Sequence, residues 1–66
     1  MIEDAIMDVL ADSQRAWDAK GLVMWINEML DAEYSDVERA IIVLEEQGKV
    51  RGYFDDNGNP MIEAVA

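Results

Sequence analysis

A chain of 66 residues has room for one domain, and at that size only about 60% of the surface exposed by the unfolded form is buried on folding, so the core must be small. Apolar residues make up 52%, enough to fold, while the absence of cysteine and histidine excludes a disulfide framework, thiolate metal sites and the usual neutral-pH base. Fifteen Asp and Glu against five Lys and Arg give a net charge of −10, a field that repels phosphate and attracts basic surfaces.

The charge is evenly spread: residues 1–34 carry eight acids and two bases, and residues 35–66 carry seven acids and three bases, so there is no basic arm and no acidic tail. Apolar runs reach five residues, as from Ala40 to Leu44, against the roughly 20 needed to cross a bilayer. Met1-Ile2-Glu3-Asp4 lacks the basic start of a signal peptide. A soluble, cytoplasmic protein that uses no membrane is expected.

From Ile2, the positions Ile2, Ala5, Ile6, Val9 and Leu10 keep a helical period, with Glu3, Asp4, Asp8 and Asp12 on the other side. Trp17 continues the stripe one heptad beyond Leu10, so the first helix is expected over about 2–18, with Lys20 and Gly21 as its C-terminal signals. Ser13 offers an alternative as the start of a separate short turn. Leu22, Trp25, Ile26, Met29 and Leu30 repeat the period and predict a second helix over about 22–31, apolar around much of its circumference because Val23 and Met24 lie off the stripe. A third helix is expected over about 36–47. Ser35 and Glu38 form the pattern of a capping box, Val37, Ala40, Ile41 and Leu44 make the buried stripe, and Gly48 can turn left-handed to close it.

Beyond Gly48 the period changes to two: Val50, Gly52 and Phe54 alternate with Arg51, Tyr53 and Asp55. Asn57-Gly58 supplies the residues that a two-residue primed turn demands, so a hairpin is expected over about 50–55 and 60–65, with Pro60 at a strand start or edge. No repeat or low-complexity segment is present, and residues 1–66 are read as a single domain.

Val37-Glu38-Arg39-Ala40-Ile41-Ile42-Val43-Leu44-Glu45-Glu46-Gln47-Gly48-Lys49-Val50, followed by a strand and Asp56-Asn57-Gly58-Asn59-Pro60, resembles the recognition helix, Leu-Glu-x-x-Gly-x-Val junction and wing of the winged helix-turn-helix superfamily. The match covers about half the chain; residues 22–34 fit the preceding helix and turn loosely, and residues 1–21 fit only as a helix. The resemblance implies an α+β fold, a three-helix bundle with a C-terminal two-stranded β-hairpin as the wing. Because such domains occur both in transcription regulators and in protein-binding modules, it implies fold more directly than function. In DNA-binding members the start of the third helix enters the major groove, which implies Ser35, Asp36, Glu38, Arg39 and Ile42 at that position. Only Arg39 suits base or phosphate contact. Lys49 and Arg51 flank a wing tip, Asp55-Asp56-Asn57-Gly58, that has no base.

Ile42 and Val43 extend the apolar surface of the third helix beyond its core stripe and are the main candidate protein contacts, with Tyr53 on the wing as a third. Trp17 and Trp25 are read as core. Asp55-x-Asn57-x-Asn59 looks superficially like the start of a calcium loop, but Pro60 occupies its glycine position and no Glu follows at the required distance, so it is read as a turn. Asp4, Asp8 and Asp12 are read as a solvated helix face that could also imitate a row of phosphates or hold a cation. With Ser35 assigned to a cap, no His or Cys and no phosphate-binding glycine loop, no catalytic residue, metal site or cofactor is expected.

The expected function is a non-enzymatic small acidic winged-helix protein acting by protein–protein interaction, as a homodimer or on another chain. A sharper version is a nucleic-acid mimic or phage-type inhibitor aimed at a basic nucleic-acid-binding protein. The alternative is a DNA-binding transcription regulator that uses Ser35, Arg39, Lys49 and Arg51, with Lys20 as a further contact.

Overall fold

The computed structural model describes residues 1–65; Ala66, the last position of the expected domain, lies outside the described residues. Helix α1 runs Ile2–Ser13, strand β1 Trp17–Asp18, helix α2 Ala19–Leu30, helix α3 Tyr34–Glu46, strand β2 Val50–Phe54 and strand β3 Pro60–Ala64. The three strands form an antiparallel sheet in the order β1-β3-β2. Helices and sheet enclose one apolar core in which Ile6, Leu10, Leu22, Ile26, Val37 and Leu44 are fully buried and Val50 and Ile62 close the sheet side. This is the α+β winged-helix architecture: three helices, then a hairpin that forms the wing.

Helix α1 stops five residues before the expected end, and two local bonds meet at its last residue. The Ser13 hydroxyl donates to the Val9 carbonyl at 2.7 Å and accepts the Trp17 indole N–H at 2.7 Å, while Gln14 turns left-handed with φ 53°. Side-chain bonding of this kind competes with the helix backbone. Trp17 still meets the core, half-buried, but from a strand: it pairs with Ile62, and Asp18 pairs with Met61. A strand of two residues is too short to show a period, and it is defined by its pairing with β3. Lys20 and Gly21 likewise begin α2 and do not end α1. The Asp18 carboxylate caps α2 by accepting their amide N–H groups at 3.0 and 3.1 Å.

Helix α2 buries Leu22, Val23 and Ile26. Trp25, expected in the core, is 51% exposed, and Met29 and Leu30 are also exposed. The inward face is therefore rotated by about one residue from the expected stripe. Helix α3 buries the expected residues, Val37, Ala40, Ile41 and Leu44. The Ser35–Glu38 capping box does not form: the helix begins at Tyr34, its amides at Asp36 and Val37 bond the Glu33 carbonyl at 3.1 Å, and Ser35 lies inside the first turn. At the other end Gly48, with φ 75°, closes the helix as expected. Its N–H bonds the Glu45 carbonyl at 3.0 Å, and the Lys49 N–H bonds the Leu44 carbonyl at 2.9 Å, the two bonds of a Schellman motif.

In the hairpin, Val50 pairs with Ala64, Gly52 with Ile62 and Phe54 with Pro60. The turn is not the two-residue type that Asn57-Gly58 suggested. Only Gly58 has positive φ, 83°, its N–H bonds the Asp55 carbonyl at 3.0 Å, and the Asp55 N–H bonds the Asn59 carbonyl at 3.0 Å. That is a three-residue loop built on a type I turn with a left-handed glycine.

Candidate functional site

Along one flank of α3 the core opens into a groove of about 590 Å³. One wall is α2, with Val23 and Met24; the other is α3, with Tyr34, Ile41 and Ile42; the floor is β3, with Pro60 and Ile62. The lining is apolar, and its outer members stay exposed: Ile42 is 55%, Tyr34 53% and Met24 52% exposed. Lys20, Glu38 and Glu45 supply the charge at its margin. Phe54, 74% exposed, pairs with Pro60 and so lies on the face of the hairpin that carries Pro60 and Ile62. Exposed apolar surface is gathered here in one concavity and not scattered singly, which makes the groove the candidate interaction site.

The candidate protein contacts do not come together as one patch. Ile42 lies in this groove, whereas Val43, 100° further round the helix, lines a separate depression between α1 and α3 with Ile2, Arg39 and Ala40. Tyr53 is on the opposite face of the sheet, across from Met61, with the Arg51 guanidinium 4.8 Å from its ring centre. Strand alternation decides this: the face toward the helices carries Val50, Gly52 and Phe54, so the aromatic ring on the groove side is Phe54. Met24, Tyr34, Phe54 and Pro60 were not singled out from sequence. Met24 and Tyr34 sit off their helices' main stripes, and only the packing of α2 against α3 and the hairpin unites them.

The DNA-facing set is poorly supplied with free cations. Arg39 lies 3.9 Å from Asp36 in an exposed pair, and Arg51 donates from Nε to Glu63 at 2.8 Å. Lys49 and Ser35 are exposed. Beside Arg39 the exposed surface of α3 carries Asp36 and Glu46, and Glu38 and Glu45 lie toward the groove. The wing tip adds a carboxylate fixed in place: Asp55 accepts the amide N–H groups of Asn57 and Asn59, each at 2.9 Å, and the Asn59 side-chain N–H at 3.2 Å. These bonds, the Asn59 amide first, hold its carboxyl below the ordinary value of 3.8. The same bonds account for the Asp55-x-Asn57-x-Asn59 spacing as turn chemistry. Among the described residues no group of three His, Cys, Asp or Glu side chains is placed to hold a metal ion, and no helix is long and apolar enough to cross a membrane.

The fold is shared with a solved structure from a study of the DNA-recognition and protein-interaction domains of HOP2 and its homologous DNA pairing properties. The two chains superpose with a TM-score of 0.83 over 98% of this chain and 100% of that one, at 15% sequence identity. No family model matches the chain, and no curated protein matches it in sequence.

Proposed function

We propose that this protein is a non-catalytic interaction module of the cytoplasm, which docks a protein partner in the groove between α2, α3 and the hairpin. The observation that carries this reading is the groove itself: Met24, Tyr34 and Ile42 are held half-exposed around buried Val23, Ile41 and Ile62. Surface of that composition is stabilised by being covered, at roughly 25 cal/mol per Å² of apolar area removed from water. A partner captured by the wild-type protein should be lost with Ile42→Asp, a substitution at an exposed position that leaves the melting temperature nearly unchanged. Retention of the partner by that variant would remove the groove from the account.

A second reading, binding of DNA, is favoured by one observation, the shared fold with a structure from the HOP2 study of DNA recognition. Arg39, Lys49, Arg51 and Ser35 would then make the contacts. Against it stand the net charge of −10 and the acidic side chains around Arg39 and at the wing tip. Each phosphate contact contributes to a steep fall of affinity with salt. The docking reading predicts no saturable binding of duplex DNA even at low salt; salt-sensitive binding abolished by Arg39→Ala would establish the second reading in its place.

A further inference from the structure

We infer that the occupant of the groove is a basic amphipathic helix, with apolar side chains seated between α2, α3 and β3 and lysines or arginines paired to Glu38 and Glu45. The inference rests on the reading of the groove as a protein-docking surface and adds the chemistry of the partner. Both long walls are helices whose backbone groups, beyond the first turn, are already bonded. An extended segment lying between them would leave its own N–H and C=O groups facing an apolar trough, whereas a helix satisfies them internally and offers a row of anchors at i, i+3 or i+4, and i+7.

Charge selects among helices. Glu38 and Glu45 lie on the α3 margin of the groove on either side of Ile42 along the axis, and seven residues of helix separate them by about 10.5 Å. Neither is paired with a base among the described residues. The Glu45 carboxylate also has a defined seat. It lies against β2 at Gly52, where an added Cβ would stand 3.0 Å from Oε2. Among the described residues Lys20, on the α2 side, is the one cation at the margin, so a partner helix with its bases toward α3 is favoured over the reverse orientation. A second copy of this chain is a poor occupant, since each copy carries −10 and the unscreened repulsion grows as two such surfaces approach. Phosphate is repelled by the same two carboxylates.

The test uses the intact protein and two labelled synthetic peptides of about 15 residues, near the length at which isolated helices become stable. Both carry leucines at helical spacing; one has lysines on its flanks and the other glutamates. Binding is read by fluorescence anisotropy and by methyl NMR. The lysine peptide should bind and shift the methyl signals of Met24, Ile41 and Ile42 but not that of Met29, and the glutamate peptide should not bind. The double variant Glu38→Gln/Glu45→Gln should weaken binding by about three- to tenfold, the effect of two exposed ion pairs. Asp4→Asn/Asp8→Asn, which removes equal charge from α1, should not. Equal binding of both peptides in the groove would overturn the basic-helix inference and leave groove docking standing. Equal weakening by the two double variants would overturn it as well, because the general field and not the margin would then be responsible. If neither peptide shifts the groove methyls, the basic-helix inference falls, and groove docking stands or falls by the Ile42→Asp test. A dimer by light scattering in which those methyls are covered would replace the helix with a second copy.

Discussion

Single residues at the ends of elements shape this fold as much as its core does. Gly48 was legible because the apolar stripe of α3 stops at Leu44 and a glycine follows where a left-handed residue is needed. Nothing lies within 4 Å of a Cβ placed there, so a substitution meets backbone strain alone. Gly48→Ala should therefore lower stability by about 1–2 kcal/mol, the cost of a left-handed L-residue, as measured by urea denaturation. Asp55 is the other such position. Its folded pKa lies below the ordinary 3.8, with the Asn59 amide as the main cause. A depressed carboxylate contributes stability that is complete above the unfolded pKa and is lost as pH falls through the lower folded value. Asp55→Asn should remove this part of the acid dependence below about pH 4, seen as a shallower fall of melting temperature with acidification. Gln14 and Asp31, with φ 53° and 54°, gave no such signal. Neither is a glycine; Gln14 leads from α1 to β1 and Asp31 from α2 to α3.

At the scale of elements, α3 and the hairpin strands were legible because their periods of 3.6 and 2 are clean over whole elements. The end of α1 was not, because Trp17 sits one heptad beyond Leu10 and so satisfies the helical stripe while belonging to β1. What separates the two outcomes is one hydroxyl, Ser13, bonded both to the Val9 carbonyl and to the Trp17 indole. Ser13→Ala should cost about 1–2 kcal/mol by leaving the partly buried indole N–H without that partner, and the Trp17 fluorescence should shift toward that of a more mobile ring. An unchanged stability would mean that pairing of β1 with β3 is enough to end the helix. The rotation of α2 was hidden for a related reason. Its apolar residues surround the helix, so its sequence does not choose between Val23 and Trp25 as the inward residue; packing against α1 and α3 does.

For the whole molecule, composition foretold an acidic exterior, and the structure adds that its three ion pairs among the described residues are exposed. Such pairs contribute little, while a net charge of −10 opposes compaction. Raising salt from about 10 to about 150 mM, where the screening length falls to about 8 Å, should raise the melting temperature by a few degrees. A fall would mean that attractive pairs outweigh the repulsion. The candidate site was only partly legible. Ile42 stood out because it lies beyond the core stripe, but the groove around it is assembled from two consecutive helices and a strand distant in sequence. Val43 and Tyr53, which share its chemical character, point elsewhere.

The most direct measurement of the central claim, that this groove meets a protein, is photo-crosslinking in the native host from a reactive residue placed at Ile42, with one at Asp8 on the exposed face of α1 as the control. A discrete protein adduct from position 42 and none from position 8 is the predicted result. A nucleic-acid adduct from position 42, or no adduct that distinguishes the two positions, would contradict the account.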